Sequence, residues 1–327
     1  MKKLDFVIAW VDGSDENHRL KRQQFQPENV VKGAAEDTRF AHNDEIYFSI
    51  ASILKSVPYC GTIYIITDHQ QPSFVGEFEA QGLCRSGQIQ VVDHQEIFRN
   101  YQQYLPTFNS LSIESMLWNI KGISNHFIYL NDDFFFNQQS DLSDFLIDGQ
   151  MVIYGHWQAT LIKKMKYIFR KFLQQNFGKV AEAKYSTAQM LSADRVGMTR
   201  YYEIHHRPHI LSRDLLSTFF KNNKELLDQQ IQFKFRNIDQ LLPVGLSNHL
   251  AIQSDQAILK DDIDIAYLKD GRGLEKFILA LSNSEIKFGC IQSLDQLESL
   301  AEGRIRAALI QKFTGFLPSQ IQPTTVV

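Results

Sequence analysis

The sequence contains few cysteines, no long apolar run and no excess of charge of one sign. Its three cysteines, Cys60, Cys84 and Cys290, are far apart and lack the spacing of a metal site. This usage predicts a reduced, cytoplasmic setting and argues against a disulfide framework. No window holds about 18 continuous apolar residues, the length that a transmembrane helix needs. The net charge of −3 gives no basicity that would attract nucleic acid.

Two glycine-rich motifs for nucleotide binding are also missing. Neither Gly-x-Gly-x-x-Gly nor Gly-x-x-x-x-Gly-Lys-Ser/Thr occurs in the chain, so a dinucleotide fingerprint and a P-loop are excluded. A bound nucleotide would have to be held by a metal ion and by side chains. This favours a nucleotide-sugar transferase over a dehydrogenase or an ATPase.

The segments that are present alternate between short apolar strands and amphipathic helices. The 44% apolar and 22% charged composition is that of an ordinary globular protein. Strands are predicted at residues 4–10, 62–66, 89–92 and 127–130, and helices from the capping residue Asn43 onward, over residues 110–120 and over residues 161–177. This order predicts an α/β fold with a mainly parallel sheet flanked by helices.

Each predicted strand ends in an acidic residue. Asp12, Asp68, Asp93 and Asp132 follow the four strands in turn. Parallel strands present their carboxyl ends at one edge of a sheet, where ligands bind in such folds. The acids therefore predict a polar cleft, although strand ends are also where ordinary polar turns begin.

The fourth strand leads directly into two adjacent carboxylates. Residues 127–136 read FIYLNDDFFF, so Asp132 and Asp133 interrupt an otherwise apolar segment. Adjacent carboxylates among apolar residues need a cation, and Mg²⁺ or Mn²⁺ bound by carboxylate oxygens would supply it. The alternative is a plain turn in which the polar side chains bond the local backbone.

Residues 161–177 form a basic amphipathic pattern. Apolar residues recur at helical spacing, with lysine and arginine between them. One interpretation is a helix packed on the sheet with a solvated basic face. The other is a surface that meets an anionic membrane or a lipid-linked acceptor.

A block rich in histidine and arginine lies in the last third of the chain. His205, His206 and His209 do not have the helical spacing of a zinc site, and Pro208 breaks a helix there, so zinc is not favoured. Histidine can take a proton from an attacking hydroxyl near neutral pH, and arginine binds phosphate. Arg213 ends this block. Arg236 stands further on among aromatic residues, where a lone arginine is usually a surface ion-pair residue.

Four blocks in order resemble the Stealth family, the sugar-1-phosphate transferases of bacterial capsules and of lysosomal enzyme tagging in animals. The blocks are DFVIAWVDGSD from Asp5, the long region from Arg39 to Asp133, IHHRPHILSR from Ile204 with Arg236 beyond it, and KFGCIQSLD from Lys287. The resemblance implies a fold related to GT-A-type nucleotide-sugar transferases with a helical insertion, a UDP-sugar donor and a divalent metal.

The resemblance also implies a set of site residues. The positions of this sequence that match functional residues of the family are Asp12, Asn43, Asp132, Asp133, His206 and Arg236. Asp132 and Asp133 are expected to hold Mg²⁺ or Mn²⁺, His206 to act as general base and Arg236 to stabilise the transferring phosphoryl group. Asp12, Asn43 and Arg213 are expected to contact the donor. His42 and Gln292-Ser293 depart from the family pattern, which leaves the rest of the metal shell open.

The expected reaction transfers a hexose-1-phosphate or N-acetylhexosamine-1-phosphate from a UDP-sugar to a hydroxyl of a glycan, with release of UMP. Two alternatives stay open: a metal-dependent glycosyltransferase that releases UDP, and a non-catalytic glycan-assembly subunit. We expect one catalytic domain over residues 1–316, made of a nucleotide-sugar-binding part (1–136), a helical insertion (137–200) and a completing part (201–316). Residues 317–327 are expected to form a flexible tail. The predicted location is the cytoplasm, with the inner face of the membrane as a further option.

Overall fold

A five-stranded sheet forms the centre of the molecule. The computed structural model describes residues 2–26, 44–178, 183–292, 294 and 297–321. The strands in chain order are β1 (Leu4–Ala9), β2 (Cys60–Thr67), β3 (Ile89–Asp93), β4 (His126–Asn131), β5 (Phe134–Phe136), β6 (Leu146–Ile147), β7 (Gln150–Tyr154), β8 (His156–Ala159), β9 (Arg200–Glu203), β10 (His209–Ser212), β11 (Ala257–Lys260), β12 (Ala266–Leu268) and β13 (Phe288–Ile291).

Helices surround this sheet. They are α1 (Glu16–Phe25), α2 (Glu45–Ser56), α3 (Glu77–Ala80), α4 (His94–Ile97), α5 (Ser110–Glu114), α6 (Thr160–Phe177), α7 (Tyr185–Arg195), α8 (Arg213–Asn222), α9 (Lys224–Ile231), α10 (Pro243–Gln253), α11 (Leu274–Leu281) and α12 (Ser299–Lys312). The helix predicted over residues 110–120 is shorter than expected, since α5 ends at Glu114 and a single 3₁₀ turn, Leu117–Asn119, follows it.

The strand order of the central sheet is β10-β4-β1-β2-β3. Strands β4, β1, β2 and β3 run parallel, and only β10 is antiparallel, against β4. The central strands β1 and β4 read as nearly continuous apolar runs because helices cover both faces of a parallel sheet. The predicted fold class, a mainly parallel sheet flanked by helices, is confirmed.

One hydrophobic core runs from Leu4 to Ile321. Residues 137–200 contain α6 and α7 but also β6, β7 and β8, so this segment is mixed and not purely helical. The first part of the expected flexible tail packs against the core: Ile321 is buried, and Ser319 N donates to Gln81 Oε1 at 2.9 Å. The rest of that tail, residues 322–327, lies outside the described residues.

A three-stranded sheet, β12-β13-β5, extends the fold directly after the acidic turn. Gly289 lies opposite Phe135 in the antiparallel pair β13 and β5. A methyl group at Gly289 would overlap the Phe135 ring. Only glycine therefore permits the close approach of β13 to β5, and β13 in turn supports the residues that follow β4.

We expect Gly289→Ala to lower the free energy of unfolding by about 1–3 kcal/mol, the usual effect of overpacking. Urea denaturation checks this value. Gly271→Ala is the matched control, because among the described atoms its methyl group would meet only Leu297 Cδ2, at an ordinary 3.8 Å. Equal stability of the two variants would contradict the close packing of β13 on Phe135.

Among the described helices, none combines the length and the apolar character that crossing a bilayer requires.

Candidate active site

The acids at the four parallel strand ends lie at one edge of the sheet, but three of them already bond to other groups of the protein. Asp12 Oδ1 accepts hydrogen bonds from Ser14 N at 2.9 Å and Ser14 Oγ at 2.6 Å. Asp68 pairs with Lys21 at 2.8 Å. Asp93 caps α4 with a capping box. The predicted rim of acids therefore exists. Because Asp12 Oδ1 already accepts two hydrogen bonds, donor binding by Asp12 would use its other carboxylate oxygen.

The fourth acidic group, Asp132 and Asp133, differs from the other three. Both residues sit in the turn between β4 and β5, so the turn interpretation is correct for the backbone. Both side chains are partly buried, and within the described part of the chain Asp133 Oδ1 is buried without a hydrogen-bond partner. In the described part of the chain, neither carboxylate forms an ion pair.

Burial strongly disfavours the charge of both carboxylates. It raises the pKa of Asp132 to about 8, and the neighbouring charge of Asp133 contributes. It raises the pKa of Asp133 to about 7, to which the charge of Glu45 at the start of α2 also contributes. A cation bound between the two carboxylates would offset this cost and favour their charged forms.

Strand β13 fixes the position of Asp133. Ile291 N donates to the Asp133 carbonyl oxygen at 2.9 Å, and Cys290 Sγ donates to Asp133 Oδ2 at 3.4 Å. Burial holds the pKa of Cys290 well above its ordinary value, so the thiol remains a donor. Among the described residues, nothing bonds to Asp133 Oδ1, and this oxygen could meet a ligand.

These residues fit a hard divalent cation. Such ions prefer carboxylate oxygens, and Asp132 and Asp133 offer them where no described side chain forms an ion pair with either. Glu45 places a third carboxylate nearby. Asn43, expected to contact the donor, lies outside the described residues, as do His42 and Ser293 from the departures noted above.

The loop between β9 and β10 brings His206 to the same edge of the sheet. Because β10 runs antiparallel to β4, with His209 opposite Tyr129, this loop lies at the carboxyl end of β4. The buried Arg207 anchors it: Arg207 Nη2 donates to the Tyr154 carbonyl oxygen at 2.9 Å, and the guanidinium lies 4.6 Å from the Tyr154 ring centroid.

The His206 imidazole is half-buried between aromatic rings. It stacks on Tyr185 at a centroid distance of 4.9 Å and contacts Phe134 edge-on at 6.2 Å. Burial lowers the pKa of His206, and the nearby positive charge of Arg236 lowers it further. The imidazole is therefore neutral at pH 7 and able to accept a proton.

Arg236 lies across the same cleft from His206 and belongs to the loop between α9 and α10. This loop is tied to the start of α5, since Asn109 Nδ2 donates to the Phe233 carbonyl oxygen at 3.2 Å and to Gln240 Oε1 at 2.8 Å. Arg236 Nη2 donates to Ser110 Oγ at 2.7 Å. The guanidinium is thus oriented before any substrate binds.

The cleft contains residues that sequence reasoning did not select. Glu114, Tyr129, Asn131 and Tyr185 line it together with His206, His209 and Arg236. Burial raises the pKa of Glu114 to about 7, against the opposing effect of Arg236. Tyr129 Oη donates to Asn131 Oδ1 at 2.8 Å. The sequence feature that could have identified Glu114 is the presence of an acid within the helix predicted over residues 110–120.

Arg213 is not part of this cleft, which corrects the expected donor contact. It follows β10 and therefore lies at the edge of the sheet where β4 begins. Arg213 N donates to the Asn125 carbonyl oxygen at 2.7 Å, and Arg213 Nη1 donates to that of Ile123 at 3.0 Å. The whole length of β4, roughly 20 Å, separates Arg213 from Asp132.

The three histidines of the block lie in different environments. His205 is exposed and pairs with Asp262 at 3.3 Å, whereas His209 is buried in β10, which lowers its pKa well below the ordinary value. They do not converge on one metal. A different group, His156, His205 and Asp262, brings potential ligand atoms within 4.8 Å of one another, as do Asp68, His69 and Asp93.

The chain matches one protein-family model. Residues 39–153 match Stealth protein conserved region 2, which includes β4 and the turn with Asp132 and Asp133. The family resemblance is thereby confirmed for this region.

The chain is similar in sequence to proteins named as bacterial phosphotransferases. The capsular polysaccharide phosphotransferase cps1A of Actinobacillus pleuropneumoniae is 39% identical over 43% of this chain and 38% of its own length. The exopolysaccharide phosphotransferase SCO2592 of Streptomyces coelicolor is 30% identical over 82% of this chain and 27% of its own length. The chain thus spans less than half the length of these two relatives.

Among solved structures, the bifunctional glycosyltransferase WbbM in its apo form overlaps with 96% of this chain and 50% of its own, with 8% identity and a TM-score of 0.46. A TM-score below 0.5 supports no conclusion about this chain, so the fold class rests on the strand order of the sheet itself.

Proposed function

We propose that this chain, which carries conserved region 2 of the Stealth family, transfers a sugar-1-phosphate from a UDP-sugar to a hydroxyl of a glycan acceptor, with release of UMP. The product would be a phosphodiester within a capsular or other cell-surface polysaccharide. The names of the relatives support a phosphotransferase of this class.

One observation carries the proposal. The half-buried His206 imidazole and the preoriented Arg236 guanidinium lie in one cleft, at the sheet edge that also holds two partly buried carboxylates. Phosphoryl transfer depends mainly on positioning and on stabilisation of charge. The described residues offer a proton acceptor, a hydrogen-bond donor for phosphate oxygens, and oxygen ligands for a metal.

In this mechanism the acceptor hydroxyl loses its proton to an imidazole nitrogen of His206. The hydroxyl oxygen forms a bond to the β-phosphorus, and the bond from that phosphorus to the bridging oxygen of the diphosphate breaks. Arg236 donates hydrogen bonds to the oxygens of the transferring phosphoryl group. A divalent ion held by Asp132 and Asp133 would neutralise diphosphate charge.

Glu114 and Tyr129 support these groups without contacting the reacting phosphorus. Glu114 places a buried carboxyl near Arg236, and its pKa, raised to about 7, leaves it partly protonated near neutral pH. Tyr129 holds Asn131 beside the acidic pair. Asp12 remains our proposed donor contact from the neighbouring strand end, and Asn43 keeps the same proposed role.

The released nucleotide tests the proposal. The chain is incubated with a panel of UDP-sugars, Mg²⁺ or Mn²⁺ and a short glycan acceptor, and nucleotides are separated by anion exchange. UMP that appears only with acceptor present supports sugar-1-phosphate transfer. UDP would identify a glycosyltransferase that attacks the sugar carbon, and glycan binding without either nucleotide would identify a non-catalytic subunit.

Arg236→Lys is expected to lower kcat on the order of 100-fold, because lysine keeps the charge but loses the planar fork that binds phosphate oxygens. Steady-state kinetics measure this effect. Arg272→Lys, at an exposed site paired with Asp270, is the control and should retain activity. A fully active Arg236→Lys variant would exclude the proposed contact with the phosphoryl group.

A further inference from the structure

Helix α6 turns its apolar face away from the protein. Large apolar side chains along its length are more than half exposed: Leu161, Ile162, Met165, Ile168, Phe169, Phe172 and Phe177. Single exposed apolar residues are common on proteins, but a continuous apolar face of this kind marks an interaction surface. The interpretation in which α6 packs by its apolar side and solvates its basic side is wrong.

Polar contacts hold α6 in this orientation. Its inner face makes ion pairs with β9, with α7 and with the loop before α10. Lys163 pairs with Glu203 at 3.5 Å, Lys164 with Asp194 at 2.5 Å and Lys171 with Asp239 at 2.9 Å. Tyr167 Oη adds a hydrogen bond to Asp239 Oδ1 at 2.7 Å. The arrangement is the reverse of an ordinary surface helix, which buries its apolar stripe.

The charges of α6 indicate what covers the apolar face. The helix contains basic residues and no acidic residue, so Lys166 and Arg170 beside the apolar face have no acid on the helix to pair with. Two copies of the chain joined by this face would bring like charges together. An anionic lipid surface instead accepts both features, since apolar side chains enter its interface and cations meet its headgroups.

We propose that α6 docks the protein on an anionic lipid surface, with its axis in the plane of the interface. The helix packs on α7, and α7 contributes Tyr185 and Ala188 to the cleft. Docking therefore holds the cleft close to the lipid, where a lipid-linked acceptor would be within reach. Only this last consequence rests on the proposed function; the docking itself does not.

Sedimentation with lipid vesicles tests the docking. The chain is mixed with vesicles of phosphatidylcholine alone or with phosphatidylglycerol added, in the absence of any substrate. We expect binding to the anionic vesicles that weakens as salt is raised. The double variant Phe169→Ser/Phe172→Ser should bind roughly tenfold or more weakly, because its apolar contact with the interface is reduced.

Leu279→Ser/Leu300→Ser is the matched control. These leucines are as exposed as the phenylalanines but lie on α11 and α12, so this variant should bind vesicles like the wild type. Light scattering after size exclusion measures self-association in parallel. Failure of the wild type to bind anionic vesicles would overturn the proposal. Equal binding by the phenylalanine variant, or a dimer that this variant abolishes, would overturn it as well.

Discussion

Asp133→Asn is expected to lower turnover by about three orders of magnitude, the size of effect that loss of several kcal/mol of metal-based charge stabilisation produces. Asp133 Oδ1 is buried and has no hydrogen-bond partner among the residues that the structure describes, so this oxygen is the one that a cation would use. Asparagine keeps the shape of the side chain and removes the charge. Steady-state kinetics with saturating Mg²⁺ or Mn²⁺ measure the loss.

The same substitution should leave the metal-free protein at least as stable as the wild type. Because burial raises the pKa of Asp133 to about 7, the stability associated with the neutral carboxyl is fully present below about pH 4. That stability is lost as the pH rises through 7, so the advantage of the asparagine variant should grow toward pH 8 in thermal melts with a chelator.

Asp93→Asn is the matched control for this experiment. Asp93 lies at the same edge of the same sheet, and asparagine is as good a helix cap as aspartate. The control should keep its activity. If Asp133→Asn were as active as Asp93→Asn, the acidic pair would have no role in metal binding and would serve only as a turn.

His206→Ala is expected to lower kcat by a factor of about 100 to 10,000, the usual contribution of a general base. Donor binding should persist, since the proposed role of His206 is to accept the proton of the acceptor. Fluorescence or calorimetric titration with a UDP-sugar in the presence of metal measures donor binding separately from turnover. His205→Ala provides the control, because His205 is exposed and pairs with Asp262.

The pH dependence adds a second readout for His206. The neutral imidazole is the active form, and burial lowers its pKa below the ordinary 6.5. Activity should therefore persist as the pH falls to 6.5 and decline only below it. Wild-type turnover in His206→Ala, or retention of the acid limb in its residual activity, would remove His206 from the mechanism.

The sheet could be predicted from the sequence because its strands are short apolar runs that end in polar turns. Strands β1 to β4 fall within two residues of their predicted bounds. The acidic turn was predictable for the same reason, since Asp132 and Asp133 interrupt a segment that is otherwise apolar. Local patterns of this kind carry most of the information about a parallel sheet.

Long-range arrangement was harder to predict. Arg213 is close to His206 in the sequence, but the antiparallel β10 carries it to the opposite edge of the sheet. The direction of a strand depends on its pairing, which local periodicity does not encode. Glu114 was overlooked for a related reason, because a single acid in a short helix gains meaning only when Arg236 and Tyr129 are beside it.

Helix α6 shows a further limit of prediction from sequence patterns. Its periodicity correctly predicts an amphipathic helix, and the structure gives Thr160–Phe177. Which face turns inward depends on three acids that are distant in the sequence and pair with its lysines, namely Glu203, Asp194 and Asp239. Hydrophobic pattern alone predicts the opposite orientation.

The fate of the β-phosphate tests the proposed reaction most directly. The chain is given a UDP-sugar with radioactive phosphorus in the β-position, together with metal and a glycan acceptor, and the label is followed into glycan and nucleotide. We expect the label to enter the glycan and the nucleotide product to be unlabelled UMP. Label that stays in UDP while the glycan gains only sugar would contradict sugar-1-phosphate transfer.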